Sequence, residues 1–341
     1  MIVRFGFVAM SLLLENASPS RTMTYTNFAK LPDREAAIRR LEQIAKDNLH
    51  NTLRILRHAT ENDIRLHRLT SKIIPLATHN GLADWNPYPE LQSAFTEVGE
   101  YVQKTGIRVS FHPDHFCVFS TPRPEVLINS EKDLDYHVRM IEAMGLPETV
   151  KNNIHIGGAY GDKVVAGERF VQQFGALAPR LRNRVTLEND DKTFNVVETL
   201  EAAEAVGVPM VLDIHHHDVN DGGISRDELS GKLWQRILDT WKREADRLGW
   251  DSVQGADALP PKIHASSPKS ESERRSHADG VEARPLLRFL QEIAGSTSRV
   301  DCMLEAKHKD AALLKLMEDM KELEALGEGV RVIDGGSIEV L

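Results

Sequence analysis

The sequence predicts a single (β/α)8 barrel over residues 1–341, an α/β fold in which eight parallel strands alternate with helices. Short apolar runs alternate with longer amphipathic runs along the whole chain, and eight of the short runs have the character of strands. These runs cover residues 2–8, 64–70, 107–112, 153–158, 185–189, 209–215, 262–266 and 300–306. Helical periods separate them, as in residues 34–62, 131–144, 195–207 and 280–295. An open, doubly wound sheet is the alternative, because periodicity cannot show whether a sheet closes.

The composition is that of an ordinary globular protein. Of its 341 residues, 41% are hydrophobic and 27% are charged, enough to bury a substantial core. The two cysteines, Cys117 and Cys302, form no CxxC pair, which argues against a disulfide-rich secreted fold and favours the cytoplasm. No run approaches the ~18 apolar residues of a membrane-spanning helix. Arg4 and the apolar residues after it resemble the start of a signal peptide, but no cleavage pattern follows, so we interpret residues 2–8 as a strand.

Metal-type ligands collect at the C-terminal ends of the predicted strands. The stretch VLDIHHHDVN, residues 211–220, shows the pattern clearly, since Asp213 and His216 directly follow an apolar strand. In a barrel these strand ends meet at one mouth, so side chains from distant parts of the chain become neighbours. Seven consecutive strands contribute to the set, which comprises His79, His112, His155, Glu188, Asp213, His216, His264, His277 and Glu305. The sequence therefore predicts a polynuclear metal site at the mouth.

Each of these residues alone also has a structural interpretation. A lone histidine near a strand end is commonly a hydrogen-bonded structural residue. Glu188 and Glu305 could instead cap the helices that follow them. Five further histidines are expected outside the site: His215 and His217 point elsewhere, and three lie on the surface, namely His50, His58 and His67.

The ligand types also indicate the metal and the reaction. Carboxylates and imidazoles without a thiolate favour Mn²⁺ or Zn²⁺, and bridging by Glu188 or Asp213 would favour Mn²⁺. Ions about 3.5–4 Å apart suit in-line displacement at phosphorus, because one lowers the pKa of a bound water and another stabilises the leaving oxygen. The net charge of −9 argues against a nucleic-acid partner. Three divalent cations, however, would add about six positive charges at one place and reverse the local sign.

Eight segments make the chain resemble the UV damage endonucleases, relatives of the endonuclease IV class of apurinic endonucleases. They are SPSRTMT (18–24), HPDHFCV (112–118), HIGGAYGDK (155–163), TLENDD (186–191), LDIHHH (212–217), KIHASS (262–267), SHADG (276–280) and MLEAKHKD (303–310). The resemblance implies a barrel with three divalent ions, with Mn²⁺ preferred and Zn²⁺ or Mg²⁺ as alternatives. It also implies a nick in double-stranded DNA immediately 5′ to cyclobutane dimers and 6-4 photoproducts, with abasic sites as a further substrate. It implies neither a membrane nor an obligate protein partner.

Carried over residue by residue, the resemblance implies eight metal ligands and places His79 near them. The ligands are His112, His155, Glu188, Asp213, His216, His264, His277 and Glu305. The family also has a carboxylated lysine two residues before the seventh-strand histidine, and Lys262 matches it. We expect catalytic roles for Glu188, Lys262 and His79.

The loop after the third strand departs from the family. A relative can have a glutamine and a tyrosine that push into the duplex to probe the lesion, whereas this chain has His115 and Phe116. Phe116 can still stack and His115 can still donate a hydrogen bond, so we expect lesion probing with altered preference. In the alternative, Phe116 packs under its loop. We expect further DNA contacts from Ser11, Arg21, Lys269, Arg274 and Arg275, although the four basic residues could instead be solvated surface charges.

Two other functions compete with the nuclease. Sugar isomerases and epimerases also place His, Glu and Asp around divalent ions in a barrel, but they need a small closed pocket and usually have fewer histidines. A damage-binding module, in which metal only shapes the surface, is the non-enzymatic alternative. The eight-ligand set and the polar, basic loop at residues 266–280 favour the nuclease.

Overall fold

The computed structural model describes residues 1–114, 116–250 and 259–341. Within these ranges eight parallel strands form a closed barrel: β1 (Ile2–Val8), β2 (Leu66–Arg68), β3 (Arg108–Phe111), β4 (Lys151–Ile154), β5 (Val185–Glu188), β6 (Met210–Asp213), β7 (Lys262–Ala265) and β8 (Arg299–Leu304). Strand β1 closes the barrel, because it pairs in parallel with both β2 and β8. The predicted barrel is confirmed, and the open-sheet alternative is wrong.

Helices surround the barrel and connect successive strands. They are α1 (Tyr25–Ala29), α2 (Arg34–Glu61), α3 (Tyr88–Thr105), α4 (Pro124–Ala143), α5 (Lys163–Gly175), α6 (Pro179–Arg182), α7 (Val196–Val206), α8 (Ile214–Val219), α9 (Arg226–Glu228), α10 (Trp234–Arg247), α11 (Ala283–Glu292) and α12 (Lys309–Ala325). Local sequence sets their starts: the Asp33 side chain caps α2, and Asn195 and Glu198 form a capping box on α7. In the described part of the chain, no helix has both the length and the apolar character needed to cross a membrane.

Strand β4 begins two residues earlier than the sequence predicts. Its first residues, Lys151 and Asn152, are polar yet buried, which hides the strand from a reading of hydrophobic periodicity. Lys151 donates to the Glu244 carboxylate, and the Asn152 side chain donates to the Arg184 carbonyl oxygen at 3.2 Å. These partners offset part of the cost of burying the polar groups. As a result, His155 follows the end of β4 instead of lying within it.

An antiparallel hairpin that was not predicted adds two strands, β9 (Val330–Val332) and β10 (Ser337–Val340), to the barrel sheet. Strand β10 pairs with the first residues of β1, which the short strand β2 does not reach. The turn contains Gly336, where an added Cβ would lie 2.8 Å from the Asp63 carbonyl oxygen. The Asp-Gly-Gly sequence between two alternating runs is a hairpin signal that sequence reasoning could have used.

One buried histidine was wrongly expected on the surface. His67 lies in β2 with its side chain buried, and its ring packs edge-on against Phe7 with centroids 4.6 Å apart. Side chains alternate along a strand, so His67 faces the helices while Leu66 and Arg68 face the barrel interior. Burial lowers the pKa of His67 to about 3. Of the other two, His50 is exposed as predicted, whereas His58 is half-buried.

The barrel floor, at the N-terminal ends of the strands, is built around the carboxylate of Asp301. This residue is fully buried in β8. It accepts two hydrogen bonds from Arg4, at 2.7 and 2.8 Å, and one from Arg108 at 2.7 Å. Burial alone would raise the pKa of Asp301, but the two guanidinium groups hold it below its usual range. The interior at this end is therefore a charged cluster that links β1, β3 and β8.

We predict that Asp301→Ala destabilises the protein by about 3–5 kcal/mol, because it leaves two guanidinium groups buried without their shared carboxylate. Urea unfolding followed by circular dichroism measures the change. The matched control is Asp84→Ala, which removes the exposed partner of Arg34 and should leave the unfolding midpoint unchanged. Equal midpoints for both variants and the parent protein would show that the Asp301 cluster adds no stability.

Candidate metal centre at the barrel mouth

Glu188, the last residue of β5, lies buried at the centre of the mouth. Its Oε1 is 2.9 Å from His264 Nδ1, and its Oε2 is 3.2 Å from His112 Nε2. The side-chain amide of Asn153 donates to the same Oε2. These partners come from β7, β4 and the end of β3, so the position of one carboxylate depends on three other strands. Burying this charge is tolerable only with such partners or with bound cations.

Two groups of ligand-type side chains share Glu188 within the described residues. The first contains His112, His155 and Glu188, and the second contains Glu188, Asp213, His264 and Glu305. In each group, one ligand atom from every residue lies within 4.8 Å of the others. The structure thus brings together six of the eight predicted ligands. Because Glu188 has two carboxylate oxygens, it could contribute one ligand atom to each group.

The other two predicted ligands, His216 and His277, lie beside these groups. His216 Nδ1 is 3.7 Å from Glu188 Oε1, and His277 Nδ1 is 3.8 Å from a carboxylate oxygen of Glu305. The two imidazole rings are 6.2 Å apart. His215 is outside both ligand groups, and its ring packs edge-on against His277 with centroids 5.4 Å apart. His217 is buried and is also in neither group.

Four histidines at the mouth share one orientation. In each, Nδ1 lies within hydrogen-bond distance of a backbone carbonyl oxygen: 2.9 Å for His112, 3.2 Å for His155, 2.9 Å for His216 and 2.8 Å for His277. A carbonyl oxygen can only accept, so Nδ1 must carry a proton, and loss of the second ring proton leaves the lone pair on Nε2. This is the tautomer that a metal-binding histidine needs, and carbonyl oxygens commonly fix it. The donor set therefore fits divalent cations.

The buried carboxylate of Asp213 also fits a cation. Its Oδ1 accepts the backbone N–H of His216 at 2.7 Å and thereby starts the short helix α8. Its Oδ2 is buried and has no hydrogen-bond partner among residues 1–114, 116–250 and 259–341. A buried carboxylate oxygen without a partner is costly, and a cation is one of the few groups that removes the cost.

Three residues that support the site were not predicted. Asn153 donates to Glu188, Arg68 donates to Glu305, and the carbonyl oxygen of Asn189 receives His216 Nδ1. Strand periodicity could have found Asn153, which lies two residues before His155 and so on the same face. The helix-cap interpretation of Glu188 is wrong, since Asn195 caps the helix that follows.

His79 and Lys262 lie at different depths in the barrel. His79 is in neither ligand group: its Nδ1 accepts the Gly81 N–H at 3.0 Å, and its ring stacks on Tyr25. Lys262 is buried in β7, two residues before His264, and its Nζ donates to the Ser110 hydroxyl at 3.1 Å. Catalytic roles for both stay predictions.

The sequence matches the family described as UV-endonuclease UvdE over residues 3–334. The chain belongs to the UvdE family. It is 41% identical over 338 residues to the UV DNA damage endonuclease of Bacillus pumilus (strain SAFR-032), and the match covers 98% of both chains. The corresponding protein of Halalkalibacterium halodurans is 38% identical over 327 residues, covering 96% of each chain. Membership argues against the sugar isomerase or epimerase alternative.

Solved structures agree with this assignment. The crystal structure of SacUVDE has a TM-score of 0.78 and 27% identity to this chain, and the match covers 94% of this chain and 99% of that one. The structure of endonuclease IV from Thermus thermophilus has a TM-score of 0.53 at 13% identity, covering 94% of this chain and 99% of that one, and shows the fold alone. The ligand-type side chains therefore lie at the mouth of a UvdE-family barrel.

Opposing charges shift the proton affinities at the UvdE mouth. Burial alone would lower the pKa of His264 and His216, but nearby carboxylates raise both to about 9. The carboxylates that raise the pKa of His264 are Glu188 and Glu305. Those that raise the pKa of His216 are chiefly Asp213 and Glu188. Burial raises the pKa of Asp213 to about 7, with His216 opposing the shift. Burial would also raise the pKa of Glu188, but His264 and His155 hold it well below its usual range.

The loops around the mouth expose Phe116. Its side chain is 73% exposed, so the alternative in which it packs under the loop is wrong. The Ser130 hydroxyl in α4 holds the loop backbone, accepting from the Val118 N–H at 2.9 Å and lying 3.4 Å from the Phe116 carbonyl oxygen. His115, the other residue expected to probe a lesion, lies outside the described residues.

Ser11 is not placed as a free DNA-contacting side chain. It is only 9% exposed, and its hydroxyl donates to the buried carboxylate of Asp310. Contact between its hydroxyl and DNA would require this pair to open. The four predicted phosphate-binding cations are exposed, but each already has an intramolecular neighbour. The pairs are Arg21 with Asp47 (3.2 Å), Lys269 with Glu273 (2.5 Å), Arg275 with Asp191 (3.9 Å), and Arg274 with the Asp218 carbonyl oxygen (3.4 Å).

We predict that the affinity for Mn²⁺ rises with pH between about 6 and 8, because a cation must displace protons from His264, His216 and Asp213. With pKa values of about 9 for both histidines, each displaced proton weakens binding up to about tenfold per pH unit below that value. Isothermal titration calorimetry in buffers of different protonation enthalpy measures both the affinity and the protons released. His50→Gln, at an exposed histidine, should not alter the profile, and a pH-independent affinity would contradict the prediction.

Proposed function

We propose that this chain nicks double-stranded DNA immediately 5′ to UV photoproducts, cyclobutane dimers and 6-4 photoproducts among them, and that abasic sites are a further substrate. The observation that carries the proposal is the pair of ligand groups joined by Glu188 at the mouth of a UvdE-family barrel. Curated relatives that match almost the whole chain are UV DNA damage endonucleases. An enzyme of this family needs a substrate site open enough for a duplex, and the rim of a barrel provides one.

We propose three divalent cations, with Mn²⁺ as the natural ion and Zn²⁺ or Mg²⁺ as substitutes. The donors are carboxylates and imidazoles, with no thiolate, which fits Mn²⁺ and Zn²⁺. His112 and His155 would hold one cation with Glu188, and the second ligand group would hold another. His216 and His277 are the remaining donors for a third. Bound cations would supply the Lewis acidity that activates water and stabilises the leaving oxygen.

The protein's own residues set the charge and orientation of this centre. Glu188 keeps its negative charge at neutral pH, since neighbouring imidazoles hold its pKa low. Asn153 fixes one of its oxygens, and Arg68 fixes an oxygen of Glu305. Such partners orient metal ligands and typically change affinity or activity by about 10–100-fold when removed. We propose that they keep the donors in place while the scissile phosphate enters.

Lys262 has the environment that carboxylation requires. Burial, followed by the charge of Arg108, holds the pKa of its amine well below the usual value. A neutral amine has the lone pair that reacts with carbon dioxide, whereas an ammonium group does not. We propose a carboxylated Lys262, as the family resemblance implies. Its negative charge would lie near Ser110, within the barrel and below His264.

We propose that DNA approaches the mouth despite the net charge of −9. Divalent cations would make the mouth locally positive, and Lys269, Arg274 and Arg275 lie on the loop after β7 that borders it. Arg21 would add a phosphate contact from the loop after β1. No protein partner is needed for this scheme, and we propose one domain over residues 1–341. Because both cysteines are buried and free, the protein suits the reducing cytoplasm.

The test is a plasmid assay in which the protein meets UV-irradiated and unirradiated supercoiled DNA, with Mn²⁺ or with EDTA. We expect nicked circles only from irradiated DNA with Mn²⁺. Glu188→Gln should slow nicking by several orders of magnitude, because it removes the charge shared by both ligand groups. Glu201→Gln, the same change at an exposed position on α7, should not. Nicking in excess EDTA, or equal nicking of unirradiated plasmid, would reject the proposal. An end-labelled duplex with one cyclobutane dimer then locates the cut.

We also predict that Phe116→Ala weakens binding to a lesion duplex much more than to undamaged DNA. A photoproduct stacks poorly, so the duplex opens there at lower cost, and an aromatic ring in the gap restores stacking worth roughly 1–3 kcal/mol. Affinities for the two duplexes and the Mn²⁺ content measure the effect. The variant should keep its full Mn²⁺ content, since Phe116 is in neither ligand group. Equal losses for both duplexes, or loss of Mn²⁺, would mean that the loop supports the site and does not read the lesion.

A further inference from the structure

The loop after β1 presents two adjacent leucines to solvent. We call residues 9–16 the β1 loop. Leu12 is 52% exposed and Leu13 is 48% exposed, whereas Leu14 turns inward and packs against the core. Exposing two large apolar side chains side by side is unfavourable in water, and such patches commonly mark an interaction site.

Buried polar groups hold the backbone beneath these leucines. The Leu12 N–H donates to Asp310 Oδ1 at 2.9 Å, and the Leu13 and Leu14 N–H groups donate to the Ser11 hydroxyl at 3.1 and 3.0 Å. That hydroxyl in turn donates to the other oxygen of Asp310, a residue with no solvent exposure. The loop is therefore fixed before any partner arrives, which lowers the entropy cost of binding.

The ends of the β1 loop are fixed as well. Ala9 and Asn16 both have left-handed backbones, with φ of 64° and 51°, and this conformation is uncommon for residues other than glycine. Arg54 of α2 donates to the carbonyl oxygens of Glu15 and Asn16, each at 3.0 Å. Left-handed residues and hydrogen bonds at both ends therefore hold the loop in the conformation that exposes the two leucines.

The leucines lie on the rim of the metal centre. The Ala9 N–H donates to the Arg68 carbonyl oxygen at 2.8 Å, and the Arg68 side chain bonds Glu305 of the second ligand group. Asp310, which holds Leu12, lies in the first turn of the helix that follows Glu305. The loop that carries Phe116 follows β3, and only β2 separates β3 from β1. Two exposed apolar tips therefore occupy the same side of one mouth.

We infer that Leu12 and Leu13 form an apolar wedge that contacts unstacked bases of duplex DNA beside the metal centre. This inference rests on the proposed function. Leucine side chains inserted between base steps unstack and bend a duplex, and an uncharged tip contacts base faces in place of phosphates. Its position on the rim of the candidate metal centre, where the proposed function places the DNA, favours DNA as the occupant over a second copy of this chain. Leu12 and Leu13 are thus specificity-determining residues.

The test compares the double variant L12A/L13A with the parent protein and with Leu326→Ala. Leu326 is 66% exposed and directly follows the C-terminal end of α12, away from the mouth, so it is a matched control. The substrate is a duplex with one tetrahydrofuran abasic analogue beside a 2-aminopurine, whose fluorescence rises on unstacking. In Mn²⁺, L12A/L13A should raise KM for nicking by roughly tenfold or more and suppress the fluorescence rise. Leu326→Ala should change neither.

A second variant separates a wedge from a structural role. L12F/L13F keeps large apolar tips, so its KM and its fluorescence rise should stay close to those of the parent protein. If L12A/L13A behaves like the parent, or if both double variants fail alike, the wedge is wrong. If L12A/L13A only converts a dimer to a monomer in sedimentation velocity, the patch joins two copies and the wedge is again wrong. A parent protein that does not nick irradiated plasmid would reject the proposed function instead.

Discussion

The buried carboxylate of Glu188 is the constraint on which the mouth depends. A charge at that depth must be balanced, and its partners come from strands that lie far apart in the sequence. His112, Asn153 and His264 reach it only because the sheet closes and directs their side chains inward. The fold and the site therefore depend on each other. Without closure of the barrel, the Glu188 carboxylate would lack its partners, and without those partners the cost of burying it would oppose closure.

Much of this arrangement could be predicted from the sequence, because it follows from short-range rules. Strands alternate with helices, and the C-terminal strand ends meet, so the approximate positions of Glu188 and Asp213 follow from the pattern. The positions of the residues that support the site depend on where each strand begins. Hydrophobic periodicity does not reveal this for a strand that begins with polar residues. Lys151 illustrates the difficulty, since a buried lysine at the start of β4 does not look like part of a strand until Glu244 is seen beside it.

Other features depend on contacts that no local pattern encodes. The ring orientations of His155 and His216 are set by backbone carbonyl oxygens whose positions come from the folded loops. Ser11 was expected to face DNA, yet a distant carboxylate in α12 captures its hydroxyl. The same capture orders the β1 loop, so a residue assigned to recognition contributes through the backbone it holds. Resemblance to a family indicates which positions to consider, and the structure shows which contacts hold them in place.

The Asp301 cluster at the barrel floor has a consequence for behaviour at different ionic strengths. Mobile ions screen the attraction between charges that face water, over a screening length of roughly 10 Å at 0.1 M salt, but they screen buried or partly buried pairs much less. Exposed pairs such as Lys269 with Glu273 will therefore weaken as salt is added, while the bonds from Arg4 and Arg108 to Asp301 persist. Added salt therefore weakens charge interactions on the rim of the barrel much more than those on its floor. The attraction of charged molecules to the rim can change with ionic strength while the barrel keeps its geometry.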